Sequence, residues 1–198
     1  QAGPQPAVAE ILTRFDDEIA PYDLANMVPT GSNSMDDLLA VNWKSVRDVD
    51  NEGYHVRQAH PGLHQLYGDG YFDEPYVNGT SRSVGTFNEA YGHRWSVRKY
   101  REILPDADNL ALHQRRQWIY FGMFPNFVLG LYPDSVIYYQ EVPQSAEQTV
   151  QRGMCYRRAQ ESREMKAARY FSGRFDRDTA HEAQMLYVLF CDAPKSPA

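Results

Sequence analysis

The sequence predicts one α+β domain organised around an antiparallel sheet. The middle of the chain holds four segments rich in β-branched and aromatic residues, separated by two to five residues. Connections this short join antiparallel neighbours. On both sides of these segments, apolar residues recur at helical spacing. A chain of 198 residues can bury a substantial core as one domain. The order of helices, a sheet and further helices predicts the α+β class.

The N-terminal part predicts two helices joined by a loop. Apolar residues between positions 8 and 19 follow helical spacing and Pro21 ends the pattern, which predicts a surface helix. Residues 21–33 contain Pro, Gly, Asn and Ser and predict a loop. A capping box at residues 34–37 then predicts an amphipathic helix up to Val46. We therefore divide the chain into an N-terminal helix and linker, residues 1–33, and a domain of residues 34–198.

The rest of the chain is predicted as follows. Residues 61–93 are glycine-rich and predict a long irregular loop, residues 95–98 a strand, and residues 105–109 a turn. The clearest strands are expected at 117–124, 127–132, 135–142 and 148–157. Residues 158–171 are highly charged and predict an exposed helix that Gly173 breaks. Asp178 stands where the N-cap of a last packed helix, residues 179–190, is expected.

Composition excludes several classes of function. The net charge of −6 argues against binding nucleic acid, which needs clustered Lys and Arg. No apolar run approaches the roughly 20 residues that a membrane span requires, so we expect a soluble, cytoplasmic protein without a membrane partner. The only cysteines are Cys155 and Cys191, which excludes a framework of several disulfides and a zinc site of four cysteines.

The segment between Asn51 and Leu63 predicts a metal site. It contains Glu52, His55 and His60, and imidazole with carboxylate suits ferrous iron with open coordination positions. On a regular helix, positions five apart lie roughly 140° around the axis, so the two imidazoles need a break in the helix to face one ion. Pro61 favours such a break at His60.

Asp48, Asp50 and Asn51 are candidates to hold the ring nitrogens that do not bind the metal.

The wider context of the two histidines resembles a known family. The run Asn42-Trp43-Lys44, followed by Glu52-x-Tyr54-His55-x4-His60-Pro61, is similar to the catalytic domain of the Rieske non-haem iron oxygenases, or ring-hydroxylating oxygenases, in their large alpha subunit. The resemblance covers residues 35–192. It implies a helix-grip fold, similar to Bet v 1 and START domains, in which an antiparallel sheet wraps around a long C-terminal helix.

The resemblance also implies a set of iron ligands. His55 and His60 correspond to the two histidines that bind mononuclear Fe(II), and Asp178 is the best match for the third ligand, a carboxylate. Asp176 and Glu182 are rivals, and local sequence fits Asp178 equally well as an N-cap without metal. Glu52 occupies the position that, in the family, bridges electrons from the Rieske cluster of a neighbouring subunit.

The implied partners follow from the same resemblance. Dioxygen is the co-substrate, and NAD(P)H-derived electrons pass through a flavin reductase, sometimes a ferredoxin, to a [2Fe-2S] cluster. That cluster needs paired Cys and His ligands, which this sequence lacks, so a Rieske domain or subunit is expected elsewhere. Alpha subunits of this kind form homotrimers.

The substrate is less defined by the sequence. The family hydroxylates, dihydroxylates or oxidatively demethylates small aromatic or N-methylated substrates, and Glu in place of the usual Asp at position 52 is typical of enzymes acting on quaternary amines. Five aromatic residues of the strand region are candidates for a substrate pocket or for core packing. They are Trp118, Tyr120, Phe121, Phe124 and Phe127.

Two other functions fit the same residues. One is a helix-grip small-molecule or lipid-binding module without catalysis, and the other is a hydrolytic zinc site. Metal content distinguishes the three.

Overall fold

The computed structural model describes residues 7–173, except for the side chains of residues 31–35. The helices are α1 (Val8–Leu12), α2 (Asp16–Ile19), α3 (Trp43–Asp50), α4 (Val56–Ala59), α5 (Pro61–Tyr67), α6 (Trp95–Ile103) and α7 (163–173). The strands are β1 (Met27–Leu39), β2 (Tyr71–Asp73), β3 (Thr80–Thr86), β4 (Gln117–Met123), β5 (Phe127–Leu131), β6 (Val136–Pro143) and β7 (Thr149–Arg158).

The seven strands form one antiparallel sheet in the order β1-β7-β6-β5-β4-β3-β2. Each end of β4, β5, β6 and β7 lies within one residue of the predicted end. The turn between β4 and β5 contains a cis peptide bond between Phe124 and Pro125. The α+β class and the antiparallel sheet are therefore confirmed.

Residues 34–37, predicted as a capping box, are part of a strand, and the helix predicted after them begins later than expected. Residues 27–39 form β1, which pairs with β7 from Met27 opposite Arg158 to Leu39 opposite Thr149. The helix begins later, at Trp43, where the Asn42 side chain accepts a hydrogen bond from the Lys44 amide at 3.0 Å and forms the N-cap. The pairing of β1 with a distant strand overrides its local helical spacing.

The predicted loop at 61–93 and the predicted strand at 95–98 are also wrong. The first region contains α5, β2 and β3, and the second begins α6. Val97 and Tyr100, three residues apart on α6, are both fully buried. Helical burial of one face therefore decides the structure of a segment that its β-branched and aromatic residues had suggested was a strand.

The sheet has two different faces. One, the helix face, is covered by α3, α5 and α6 and carries the side chains of Trp118 and Tyr120. The other, the N-terminal face, is covered in part by residues 7–26, where Phe15 packs on Phe121 with ring centroids 4.1 Å apart. The predicted N-terminal helix is thus two short helices joined by a 3-10 turn, and Phe15 on it is buried rather than at the surface.

The C-terminal predictions are tested only in part. Helix α7 forms where a helix is expected, but Met165 and Ala168 are buried, so the prediction that this helix is exposed is wrong. The last packed helix, at 179–190, lies outside the described residues. The long closing helix of a helix-grip fold stays a prediction for the same reason, as does the division of the chain after residue 33.

Candidate metal centre

The helical break that the two histidines require is present. Helix α4 ends at Ala59 and α5 begins at Pro61, and His60 between them has φ −125° and ψ 66°, outside the helical range. The rings of His55 and His60 lie edge to face, with centroids 5.0 Å apart and planes at 72°. The break therefore brings the two imidazoles together, as the metal-site hypothesis needs.

Glu52 holds the His55 ring. Its Oε1 lies 2.6 Å from His55 Nδ1, and its Oε2 accepts a longer hydrogen bond from the His55 amide at 3.3 Å. The two side chains are 26% and 20% exposed, so water screens the pair only in part. A carboxylate that accepts the Nδ1–H bond leaves the lone pair of neutral imidazole on Nε2, the atom that can then bind a metal.

Gly53 fixes this segment against the sheet. Its amide donates to Asp73 Oδ2 at 2.7 Å, and a Cβ at this position would lie 1.8 Å from Tyr71 Cε1. Only glycine allows the backbone beside Glu52 to approach the Tyr71 ring this closely. Burial raises the pKa of Tyr71, which keeps its phenol protonated. Asp73 was missed from the sequence because it lies in a segment predicted to be a loop.

The described residues contain part of a ligand set. Within residues 7–173, no group of three His, Cys, Asp or Glu side chains is arranged to hold a metal ion. Asp178, Asp176 and Glu182, the candidates for the third ligand, lie outside this range. The paired imidazoles, with His55 oriented by a carboxylate, nevertheless fit the donor set of ferrous iron in a site completed by one more carboxylate.

The three candidates for orienting the ligands occupy different environments. Asp48 is exposed. Asn51 Oδ1 accepts a hydrogen bond from Ser81 Oγ at 3.2 Å, which links the end of α3 to β3. Asp50 lies in a buried cluster of charged and polar groups on the helix face.

That cluster also contains Arg47, Glu141 and Tyr139. Arg47 is 6% exposed and Glu141 is fully buried. The Arg47 guanidinium lies beside Gly122, where a Cβ would come within 2.2 Å of Nη2. Burial and the Glu141 charge raise the pKa of Asp50, and burial raises that of Glu141, while Arg47 opposes both shifts. The two carboxyl groups therefore tend to share a proton.

The five aromatic residues considered for a substrate pocket do not form one pocket. Trp118 and Tyr120 are on the helix face, where Tyr120 Oη lies 2.9 Å from Tyr67 Oη. Phe121 is on the N-terminal face, Phe127 stacks on Tyr138 on that same face, and Phe124 is 67% exposed. Only the first two belong to the side of the sheet that faces the candidate metal segment.

A membrane-spanning helix is absent from the described part of the chain, since no helix within residues 7–173 combines the necessary length and hydropathy.

Comparison with known proteins identifies the family. Residues 24–186 match the model of the ring hydroxylating alpha subunit (catalytic domain), which covers most of the chain. The protein therefore belongs to the family of ring-hydroxylating oxygenase alpha subunits. A search of curated proteins found no significant match.

Solved structures show the same fold. The quaternary ammonium Rieske monooxygenase CntA, in complex with an inhibitor, aligns with a TM-score of 0.63 and 16% identity over 91% of this chain and 45% of its own. CntA in complex with L-carnitine gives 0.61 and 14%, over 98% and 47%. Naphthalene 1,2-dioxygenase from Rhodococcus sp., bound to indole, gives 0.60 and 12%, over 92% and 50%. The chain thus spans about half the length of these relatives.

Proposed function

We propose that this chain is the mononuclear-iron catalytic domain of a Rieske-type oxygenase, with His55, His60 and Asp178 as the ligands of Fe(II). The observation that carries the proposal is the convergence of the two imidazoles at the break between α4 and α5, with His55 held by Glu52. Membership of the ring-hydroxylating family supports the same reading. The ligands would bring one negative charge and leave open positions on the ion.

Bound iron would supply dioxygen activation, the chemistry that the protein's own side chains lack. The chain would fix where that chemistry occurs. Glu52 keeps the His55 ring in the tautomer and orientation for binding through Nε2. Gly53 and Asp73 attach the same segment to the sheet. The helix-face tyrosines would bound the space next to the ion and limit access of water.

Glu52 is proposed to have a second role in electron delivery. It contacts a histidine that is itself a proposed iron ligand, and it is partly exposed, so a partner protein can approach it. A Rieske domain or subunit would supply electrons from this side, with a ferredoxin or flavin reductase behind it and a homotrimer as the assembly. Substituting Glu52→Gln should then stop turnover while iron remains bound. Loss of iron instead would make Glu52 a ligand.

Iron analysis tests the proposed ligands. The wild type should bind close to one iron per chain after anaerobic loading with Fe(II), whereas His55→Ala, His60→Ala and Asp178→Ala should each lose most of it. His113→Ala is the matched control, because His113 is exposed and distant in sequence from the site. Full iron binding in all three variants would contradict the proposed site.

The substrate is proposed to be a small quaternary amine or aromatic compound. CntA has been solved with L-carnitine and the naphthalene dioxygenase with indole, so the fold accommodates both classes. Glu52 favours the quaternary amine. The absorption spectrum of the iron-loaded protein would be recorded with a trimethylammonium compound and with an aromatic compound of similar size. The compound that perturbs the spectrum more identifies the substrate class.

Family membership does not favour a binding module without catalysis, which predicts no bound iron. A hydrolytic zinc site predicts zinc and no dependence on a reductant.

A further inference from the structure

A row of tyrosine and tryptophan rings runs through the core from the candidate metal segment. Tyr71 packs against Gly53, and its ring centroid lies 5.9 Å from that of Tyr67. The centroid of Tyr67 is 6.1 Å from that of Trp118, which is 6.0 Å from that of Tyr100. Tyr67, Trp118 and Tyr100 are at most 1% exposed. Phenol and indole rings lose a single electron more readily than other aromatic side chains, and rings this close exchange electrons rapidly.

The far end of the row has a proton acceptor. Tyr100 Oη accepts from Trp118 Nε1 at 3.0 Å and donates to Asp134 Oδ1 at 2.5 Å. Ser135 and Ser172 also donate to Asp134 Oδ2, at 3.2 and 3.1 Å. Burial raises the pKa of Asp134, and the hydrogen bonds from Tyr100, Ser172 and Ser135 oppose that shift. A carboxyl group that accepts from three hydroxyl groups can take up the Tyr100 proton.

This arrangement distinguishes Tyr100 from Tyr67, the other fully buried phenol of the row. A phenol loses its proton when it loses an electron, so a base on its hydroxyl group makes the oxidation easier. Tyr67 has the phenol of Tyr120 as its partner, at 2.9 Å, and a phenol is a far weaker base than a carboxylate. An electron hole that reaches Tyr67 should therefore move on through Trp118 and come to rest on Tyr100.

We propose that Tyr71, Tyr67, Trp118 and Tyr100 form a path for one-electron oxidation that ends at the Tyr100–Asp134 pair. An oxidant at the candidate metal segment gains one electron and Tyr100 loses one, while the Tyr100 proton moves to Asp134. The three intermediate rings each lose and regain an electron. A one-electron donor of the ascorbate class then reduces the Tyr100 radical, and Asp134 returns the proton.

The inference rests on the proposed function, because a dioxygen-activating iron is the source of the oxidant. Such a path would remove oxidising equivalents when no substrate is in place, and would spare His55 and Glu52 from oxidation. The path consists only of amino-acid side chains, so it can be tested in protein without iron.

The experiment removes one electron from a group beside His55 in the metal-free chain of 198 residues. Tyr54 is 83% exposed, so Tyr54→Cys provides an attachment point for a ruthenium photo-oxidant, with Cys191→Ser to avoid a second label. A laser flash in the presence of a soluble electron acceptor oxidises the label. Transient absorption and freeze-quenched electron paramagnetic resonance then follow the appearance of a tyrosyl radical.

The expected result is a radical that depends on both ends of the row. Tyr100→Phe should abolish it, and Tyr67→Phe should lower its yield. Asp134→Asn should slow its formation on the order of a hundredfold, the lower end of what a positioned proton acceptor contributes. Tyr138→Phe is the control and should change nothing, because Tyr138 is on the N-terminal face, stacked between Phe127 and Tyr156.

A radical of unchanged yield and rate in Tyr100→Phe would overturn the proposal. If Asp134→Asn does not fold, the labelled parent in deuterated solvent replaces it: slower radical formation supports proton transfer to Asp134, and an unchanged rate contradicts it. Iron analysis is a separate measurement. If Tyr100 is oxidised but the protein binds no iron, the electron path is supported and the proposed function is contradicted. If the protein binds iron but Tyr100 is not oxidised, the proposed function is supported and the path is contradicted.

Discussion

The two faces of the sheet use different residues for the same task of filling a core. On the N-terminal face, apolar contacts dominate, such as Phe15 on Phe121, and the charged groups at its margin are ion-paired, with Arg82 bonded to Glu18 and Glu74. On the helix face, the hydroxyl groups of Tyr67 and Tyr120 meet between α5 and the sheet, and a buried charged cluster lies between α3 and β6.

The difference indicates which face carries function. Burying Arg47, Asp50 and Glu141 costs free energy that an apolar core of the same volume would not require. The N-terminal face shows that this chain can build such an apolar core. The polar groups are concentrated on the side that also holds the candidate metal segment. Buried polar groups that lower stability are typical of functional sites.

The largest effect is expected on the helix face, from Arg47→Met. The substitution leaves the carboxyl groups of Asp50 and Glu141 without their cation, so we expect a loss of about 3–5 kcal/mol in the free energy of unfolding at pH 8. The loss should shrink as the pH is lowered, because protonated carboxyl groups do not need the cation. Urea unfolding at several pH values measures it. A loss that is the same at every pH would show that Arg47 contributes only packing.

Phe15→Ala should have an effect of similar size on the other face, with a different signature. Phe15 is 1% exposed, and its removal leaves a cavity against Phe121, for which about 3–5 kcal/mol is typical. No titratable partner is lost, so the deficit should be independent of pH in the same urea experiment. Iron binding should survive wherever the variant is folded. A strong dependence on pH would mean that the two faces are coupled.

Local signals in the sequence predicted one part of this fold well. Strands β4 to β7 are neighbours along the chain, and the first two of the turns between them carry Pro with Asn or Asp, so their pairing is encoded within short segments. Strand β1 has no such signal. Its polar sequence acquires strand structure by pairing with β7, more than a hundred residues later, which spacing within β1 does not reveal.

The candidate site divides in the same way. Pro61 is adjacent to His60, so the helical break that brings the two imidazoles together was predictable. The anchoring of Gly53 by Asp73 was not, because it depends on β2, an edge strand of three residues in a segment with many glycines. The buried position of Glu141 beside Asp50 likewise depends on the packing of α3 against β6.

The next effect in size concerns the pH dependence of the helix face, and Glu141→Gln tests it. Asp50 and Glu141 have folded pKa values above their ordinary 3.8 and 4.5. Their contribution to stability is therefore complete below those ordinary values and is lost as the pH rises toward the folded pKa values. The variant removes one of these groups and lowers the pKa of Asp50, whose shift Glu141 reinforces.

We expect the unfolding free energy of Glu141→Gln to change less between pH 4 and pH 8 than that of the wild type. The difference between variant and wild type should therefore shift in favour of the variant as the pH rises. Arg47 and Tyr139 are the other ionisable groups of the cluster, and neither is altered. Equal pH slopes for the two proteins would contradict the assigned pKa shifts.

The smallest effects compare adjacent residues of β6 that point to opposite faces. Tyr139→Phe removes a hydroxyl group that interacts with Asp50 in the cluster, and a loss of about 1–2 kcal/mol is expected, because Asp50 loses a polar neighbour in a site largely shielded from water. Tyr138→Phe keeps the ring that stacks between Phe127 and Tyr156 on the N-terminal face, and should change stability by less than about 0.5 kcal/mol.

The pair shares strand, residue type and substitution, so the difference between the two unfolding free energies isolates the polar contribution of the helix face. Equal values would mean that the hydroxyl group of Tyr139 contributes no more to stability than that of Tyr138. The two faces would then differ in composition without a difference in energy.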